Sequence, residues 1–235
     1  GAAMGRGILM AGRWARADEA PARLPRTLPR PRLPFDFPSW ALGPWTVRNF
    51  NRLYYWKHLA RRKEGLVDPQ AFFYPLDFLH DWNRMYGKRG FTQYQCVLPR
   101  EARQGSARRL LELLTQRGGA SFLAVIKDCG PEGIGILSFP KPGISIALDI
   151  PVRDDTQALV DALNALVIAE GGRIYLAKDA FTRGADFRQM EPRLADFDAI
   201  RRQWDPDRRI RSAQSVRMLG DAAAMQAKES TSCAP

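Results

Sequence analysis

From residue 71 onward, apolar positions recur with the spacings of strands and helices, and turn residues separate the segments. The segments with a strand pattern are residues 91–98, 121–127, 134–139, 144–152 and 173–177. The segments with a helical pattern are residues 75–86, 106–119, 155–172 and 192–204. Short connections between the middle strands require antiparallel pairing. The pattern therefore predicts the α+β class, with one antiparallel sheet covered by helices.

The chain before residue 71 has a different composition. Residues 14–40 contain six prolines, which are incompatible with the interior of a helix or sheet, so we expect an extended linker there. Small and polar residues fill the other end of the chain, and residues 221–235 are predicted to be a disordered tail.

An aromatic and basic segment covers residues 39–60 and holds Trp40, Trp45, Phe50, Tyr54, Tyr55 and Trp56. One interpretation is a segment that binds a membrane surface or a lipid. The other, which the sequence favours, is a helix that packs its aromatic face on the core.

The net charge of +11 is concentrated in residues 1–70, where thirteen Lys or Arg face five Asp or Glu. Such a bias suits nucleic acid, anionic lipid headgroups or a phosphorylated substrate. An arginine-rich surface without a charged partner is the alternative, because Arg outnumbers Lys throughout the chain.

Metal chemistry is not expected. The three cysteines form no Cys-x-x-Cys pair and there are only two histidines, so the sequence predicts neither a zinc nor an iron–sulfur site and no other metal. No disulfide framework or signal peptide is recognisable, which favours a reducing, cytoplasmic location.

The segment from residue 171 to 180 is the most informative. A glycine pair ends the preceding helix, and the predicted strand 173–177 then presents Tyr175 and Lys178 near its end. A lysine at the end of a strand is usually a solvated surface residue. Gln93 and Gln95 share one face of their strand because side chains alternate, although a solvent-facing surface would show the same pattern.

Four motifs together give these residues more weight. They are FTQYQ at 91–95, LAVIK at 123–127, LSFPKPG at 137–143 and YLAKD at 175–179. In this order and spacing they resemble the C-terminal half of the flavin-dependent decaprenylphosphoryl-β-D-ribose oxidases, within the vanillyl-alcohol-oxidase superfamily of FAD-linked oxidases. The resemblance runs from about Gly5 to Leu219.

The resemblance implies a domain organisation. Residues 1–13 would be a remnant of the FAD-binding domain, with a final strand at 5–10, and residues 14–70 the linker and basic aromatic segment. Residues 71–177 would be the substrate, or cap, domain, and residues 178–220 a C-terminal helix and return to the FAD domain. Most of the FAD-binding domain would lie outside this chain, consistent with the lack of a glycine-rich phosphate loop in the sequence. The fragment alone would be inactive.

The resemblance also assigns roles. Lys178 matches the essential lysine of the family, with both a catalytic and a cofactor-binding role, and Tyr175 matches its flavin-contacting tyrosine. The positions that match substrate-binding residues are Gln93, Gln95, Lys127, Ser145 and Ala147. Mycobacterial enzymes carry asparagine and cysteine at the last two positions, and the segment 211–214 lacks the usual Ser-Asp pair. These differences concern the identity of the substrate more than the type of reaction.

The implied activity is FAD-dependent oxidation of a secondary hydroxyl on a polyprenyl-phosphate-linked pentose, the first half of an epimerisation in cell-wall polysaccharide synthesis. Its implied partners are the lipid-linked sugar, a reductase that completes the epimerisation, and the inner face of the membrane as a peripheral contact. A sugar-lactone oxidase or other sugar oxidase of the superfamily is the nearest alternative. A basic nucleic-acid-binding module would explain the charge but not the four motifs, so no nucleic acid partner is expected.

Overall fold

The computed structural model describes residues 7–21, 30–58, 60, 62–74, 79–100, 102, 105–119 and 123–221. The chain divides into two compact units, residues 1–90 and residues 91–235, and each is described by itself.

The first unit contains short helices joined by extended chain. Its helices are a 3₁₀ helix at Ser39–Leu42, α1 at Pro44–Trp56, α2 at Pro69–Phe73 and a second 3₁₀ helix at Trp82–Tyr86. Residues 75–78 of the predicted helix 75–86 lie outside the described chain, and of its described part, residues 79–86, only 82–86 are helical. Residues 30–38, within the expected linker, contain no helix, and Arg32 forms an isolated bridge with His80. The strand expected at 5–10 is absent over its described part, residues 7–10.

Helix α1 confirms the predicted helix but not its packing. None of its side chains is buried, and Trp45, Phe50, Leu53 and Trp56 are each more than half exposed. The expectation that this aromatic face packs on the core is therefore wrong for these side chains.

The second unit holds the sheet and its helices. Its elements in chain order are β1 at Phe91–Pro99, α3 at Ser106–Gln116, β2 at Ala124–Cys129, β3 at Gly143–Pro151, α4 at Thr156–Ala169, β4 at Arg173–Ile174, α5 at Gly184–Met190, α6 at Leu194–Trp204 and α7 at Ala213–Leu219. The strands lie in the order β2-β3-β1-β4, and every neighbouring pair is antiparallel. The predicted α+β class and the antiparallel sheet are confirmed.

One face of the sheet carries the hydrophobic core. Tyr94, Cys96 and Leu98 alternate along β1, and the matching positions of β3 are also apolar, so both strands present an apolar face to the helices. Leu163 and Val167 of α4 are fully buried in the same cluster. A buried polar chain crosses this layer: the Tyr94 hydroxyl bonds Asn164 Oδ1 at 3.0 Å, and Asn164 Nδ2 donates to Asp186 at 3.0 Å.

The predicted strand 134–139 is wrong. Those residues belong to a loop, residues 130–142, in which the Ser138 N–H donates to the Gly135 carbonyl at 2.9 Å and the Ser138 hydroxyl accepts from Gly133 N at 3.0 Å. Ile134 is fully exposed. These local turns satisfy backbone groups that a ladder would otherwise need, so the apolar run forms no strand.

The C-terminal part of the unit also differs from expectation. Strand 173–177 is shortened to the two residues of β4, and helices α5 and α7 were not predicted. Asp221 is buried and pairs with Arg201 at 2.6 Å, so it is not part of a disordered tail, and residues 222–235 lie outside the described chain. Among the described residues, no helix has both the length and the apolar content needed to cross a bilayer.

Candidate active site

The second face of the sheet carries polar side chains in register. Gln93 lies opposite Asp149, and Gln95 lies opposite Ala147, on the two central strands β1 and β3. Directly opposite residues of an antiparallel pair share a face, and every second residue returns to it. Ser145, Ala147 and Asp149 therefore line the same face as the two glutamines.

Two hydrogen bonds link the strands across this face. Gln93 Nε2 donates to Asp149 Oδ1 at 2.9 Å, and Gln95 Nε2 donates to the Ser145 hydroxyl at 3.0 Å. Gln95, Ser145 and Asp149 are buried, and Gln93 is half-buried. The interpretation of the two glutamines as a solvated strand surface is therefore wrong, and they belong to a buried polar layer.

Tyr175 and Lys178 border this layer. Tyr175 continues the ladder for one residue, since its N–H donates to the Gln95 carbonyl at 2.8 Å. The chain then forms a 3₁₀ turn, Leu176–Lys178, closed by a bond from Lys178 N to Tyr175 O at 2.8 Å. Tyr175 is 37% exposed, and its ring lies 4.8 Å from the Phe139 ring, centroid to centroid. Lys178 is half-buried rather than fully solvated.

Asp149 is the ionisable group at the centre of this face. Its burial raises the pKa of the carboxyl group, because removal from water disfavours the charged form. The hydrogen bond from Gln93 and the positive charge of Lys178 oppose that rise in pKa. The structure thus places a buried carboxyl group, bonded to Gln93, at the centre of the face that the motif glutamines line.

Helix α7 fixes the turn that carries Lys178. Arg217 donates to the Asp179 carbonyl at 2.6 Å and to Asp179 Oδ1 at 2.9 Å, and Gln214 Nε2 donates to Asp179 Oδ2 at 2.9 Å. Gln214 also donates to the carbonyl of Leu176. Side chains of α7 thereby bond the carbonyls of Leu176 and Asp179, which satisfies these two backbone acceptors without a strand partner.

A second group of ion pairs holds the loop 130–142 against β4. Arg173 is buried and pairs with Glu132 at 2.7 Å, and Arg193 pairs with Glu191 at 2.7 Å. Both arginines also donate to the Ser138 carbonyl, at 2.9 and 3.0 Å. These contacts hold in place the loop that brings Phe139 to Tyr175.

Lys127 lies at the β2 edge of this face. It lies opposite Ser145 on β2, is exposed, and is separated from β4 by the two central strands, a distance of about 14 Å at ordinary strand spacing. Sequence reasoning missed Asp149, Phe139 and the two clamping residues of α7. Asp149 could have been found, because it alternates with Ser145 and Ala147. The α7 contacts have no local sequence signal.

The comparisons with known proteins agree with the motifs. The chain is 35% identical over 210 residues to the decaprenylphosphoryl-beta-D-ribose oxidase of Mycolicibacterium smegmatis, which covers 87% of this chain and 45% of that protein. The chain resembles the decaprenylphosphoryl-β-D-ribose oxidases. It is also 32% identical over 235 residues to an uncharacterized protein in the mprA 5′ region of Streptomyces coelicolor, covering 94% of this chain and 62% of that protein. No protein-family model matches the chain.

The predicted resemblance to the oxidases is thus confirmed. The chain spans about half the length of the curated relatives it matches.

The clamp from α7 leads to a prediction about the Lys178 turn. We expect Arg217→Ala to speed hydrogen exchange roughly tenfold or more at the amides of Lys178 and Thr182, because hydrogen bonds to a charged donor contribute about 1.5–3 kcal/mol. Amides of the central strands should keep their protection. Arg202→Ala, which changes an exposed arginine of α6, is the control. Unchanged exchange at the two turn amides in Arg217→Ala would show that α7 does not hold the turn.

Proposed function

We propose that this chain carries the substrate side of an FAD-dependent oxidoreductase that oxidises a secondary hydroxyl of a polyprenyl-phosphate-linked pentose. The observation that supports this most is the polar face formed by Gln93, Gln95 and Asp149, which is bordered by an accessible Tyr175 and by the turn that carries Lys178. A buried carboxyl group, a lysine and amide groups can together bind a hydroxyl group and accept its proton. The printed name of the mycobacterial relative supports the choice of substrate class.

The residues at this face fit the ring end of a flavin. Tyr175, backed by Phe139, offers an exposed aromatic surface, and the Lys178 ammonium suits the carbonyl edge of the ring, where negative charge accumulates on reduction. When bound, the flavin accepts the hydride that leaves the sugar carbon. Tyr175 and Lys178 would contact the ring, and the two glutamines would orient the sugar.

The substrate layer is consistent with a sugar that carries several hydroxyl groups. Each glutamine offers a donor and an acceptor, and the Gln95–Ser145 bond fixes the orientation of one amide group. Ala147 and Ser145 are smaller than the cysteine and asparagine of the mycobacterial enzymes, which leaves more room beside the sugar. We therefore propose that residues 71–177 serve as the substrate domain, with Lys127 at its outer edge.

Flavin reduction tests this function. The complete protein with FAD bound should lose its flavin absorbance when a polyprenyl-phosphate ribose is added without oxygen. A sugar lactone should give slower reduction. Persistent absorbance with every sugar would contradict the proposal. Because oxidation of the hydroxyl gives a keto sugar, a partner reductase would be needed to complete an epimerisation.

Helix α1 supports a peripheral membrane contact for the same protein. Its exposed apolar residues share the helix with Arg48 and Arg52, and the guanidinium of Arg52 lies 5.6 Å from the Trp56 ring centroid. Aromatic side chains beside arginines are typical of helices that lie in the interface of an anionic membrane. We therefore propose that α1 contacts the inner face of the membrane, where a lipid-linked substrate is presented.

Vesicle binding tests the membrane contact. We expect the chain to sediment with vesicles that contain anionic phospholipid and to remain in solution with purely zwitterionic vesicles. Leu53→Glu should reduce the bound fraction several-fold, because it places a carboxylate on the apolar face. Val67→Glu, which adds the same charge at an exposed apolar residue outside the helix, is the control. Equal binding of wild type and Leu53→Glu would contradict the proposal.

A further inference from the structure

Of the four sequence motifs, LSFPKPG at residues 137–143 is the one with no assigned substrate or cofactor contact. In the structure it forms the end of the loop 130–142 and the first residue of β3. Its aromatic residue, Phe139, reaches the candidate site: the Phe139 and Tyr175 rings lie 4.8 Å apart, centroid to centroid, with their planes tilted by 37°. This separation is within the range of favourable aromatic pairs. The motif therefore supplies the aromatic neighbour of Tyr175.

Two arginines converge on the backbone carbonyl that precedes Phe139. Arg173 Nη1 donates to the Ser138 carbonyl at 2.9 Å, and Arg193 Nη2 donates to the same oxygen at 3.0 Å. A carbonyl oxygen has two lone pairs, so these two donors use both of them. Arg173 belongs to β4 and lies two residues before Tyr175, whereas Arg193 immediately precedes α6. The carbonyl is thus tied both to the strand that leads into Tyr175 and to the start of a helix.

Two glutamates hold the arginines in this arrangement. Glu191 is 3% exposed and accepts from Arg193 Nε and Nη2 at 2.7 Å each, and its Oε2 lies 3.7 Å from Arg173 Nη1. Glu132 of the loop pairs with Arg173 at 2.7 Å and lies 3.7 Å from Arg193 Nη1. The four side chains together carry no net charge. Because charge-assisted hydrogen bonds are shorter and stronger than neutral ones, this cluster fixes the position of the Ser138 carbonyl.

The other end of the motif is fixed independently. Lys141 Nζ donates to the Gly171 carbonyl at 3.1 Å, and the Arg100 N–H donates to the Pro142 carbonyl at 3.0 Å. Phe139 therefore lies between bonded residues on both sides, and none of these bonds uses its side chain. Replacing that side chain should alter the ring contact without releasing the loop.

Resting on the proposed function, we propose that Phe139 is a positioning residue that sets the Tyr175 ring where it meets the flavin, and that Arg173 and Arg193 hold Phe139 in place through the Ser138 carbonyl. A tyrosine that is 37% exposed can adopt other rotamers unless a neighbour restricts it. The Phe139 ring supplies that restriction, and it acts on the flavin only through Tyr175.

The Tyr175 ring signals in the 235-residue chain test the ring contact without flavin. In proton NMR, Tyr175→Phe identifies these signals by their loss, and the ring current of Phe139 should displace them in wild type. In Phe139→Leu they should move toward the values of an exposed tyrosine, and Phe139→Tyr, which keeps a ring, should restore most of the displacement. Ile134→Ala, at a fully exposed residue of the same loop, should leave them in place. Tyr175 signals that Phe139→Leu does not move would overturn the proposal.

Arg193→Gln tests the support beneath the ring contact. The variant removes one of the two donors to the Ser138 carbonyl, so the Tyr175 signals should move in the same direction as in Phe139→Leu. Arg202→Gln, at an exposed arginine of α6, is the control and should leave them unchanged. Wild-type Tyr175 signals in Arg193→Gln would overturn the role of the arginines. If Arg193→Gln does not fold, Glu132→Gln makes the same test, because it weakens the cluster at an exposed residue and retains both arginines.

Flavin reduction separates this proposal from the proposed function. In the complete protein with FAD bound, Phe139→Leu should slow the reduction about two- to tenfold, the scale for loss of one aromatic pair, with little change in KM, because Tyr175 meets the flavin and not the sugar. Phe139→Tyr should restore the rate. A wild-type rate in Phe139→Leu would overturn the positioning role and leave the oxidase function standing. No reduction of the wild-type flavin by any sugar would contradict the oxidase function, and the Tyr175 signals would still decide whether Phe139 sets the ring.

Discussion

Under the proposed function, replacing Lys178 with alanine in the complete protein should lower the rate of flavin reduction at least about a hundredfold while the flavin stays bound, the effect expected for loss of one preorganised charge. The lysine is half-buried at the end of the turn Leu176–Lys178. Its proposed role is to stabilise the negative charge that develops on the flavin as the hydride leaves, so its loss should slow the chemical step and spare flavin binding. Anaerobic stopped-flow reduction with a polyprenyl-phosphate pentose measures the rate, and the absorbance spectrum reports the bound flavin.

Two further variants sharpen that experiment. Lys178→Arg should also be slow, because a planar guanidinium neither occupies the site of an ammonium group nor gives up its proton. Gln95→Ala should be milder and appear mainly in KM, since the role proposed for Gln95 is to orient the sugar. Reduction at the wild-type rate in Lys178→Ala would return this residue to the class of ordinary surface lysines.

The second large effect is expected at Gly143, where the β3 strand begins. A Cβ atom there would lie 2.0 Å from the carbonyl oxygen of Leu98 on the facing strand, and neither backbone can move without opening the ladder. Gly143→Ala should therefore lower the free energy of unfolding by roughly 3 kcal/mol, at the upper end of the usual cost of overpacking. Urea denaturation followed by circular dichroism measures it.

Gly130, at the start of the loop 130–142 that leads into β3, provides the matched control. A Cβ atom built there has nothing within 4 Å, so Gly130→Ala should change the free energy of unfolding by no more than about 0.5 kcal/mol. If the two variants were equally stable, the close approach of β3 to Leu98 would not exist in solution.

The sequence predicted the parts of the fold that depend on regular patterns. The alternation of apolar residues predicted the two central strands and placed Gln93 and Gln95 on one face. The prediction failed where local hydrogen bonds override the apolar pattern. Residues 134–139 are apolar enough for a strand, yet Ser138 and the glycines beside it form turns that use the backbone groups themselves.

Only the part of the candidate site that lies in a contiguous motif could be predicted from the sequence. Its lysine and tyrosine belong to a contiguous motif, and contiguous motifs are visible in a sequence. Asp149 and the arginine of α7 become neighbours of Lys178 only through strand pairing and the return of the chain, with Arg217 thirty-eight residues away from Asp179. Such contacts are set by tertiary packing, and no local propensity encodes them.

The clamp from α7 also gives this protein a sequence of assembly. During synthesis, the sheet strands and α4 leave the ribosome well before residues 213–219, so the sheet can form while the turn at 176–178 still lacks the donors of Gln214 and Arg217. A nascent chain released before residues 213–219 are made would have a folded sheet, but the turn that carries Lys178 would lack its hydrogen bonds from α7. The capacity for chemistry would thus arise late in translation, which separates folding of the scaffold from the appearance of a competent site.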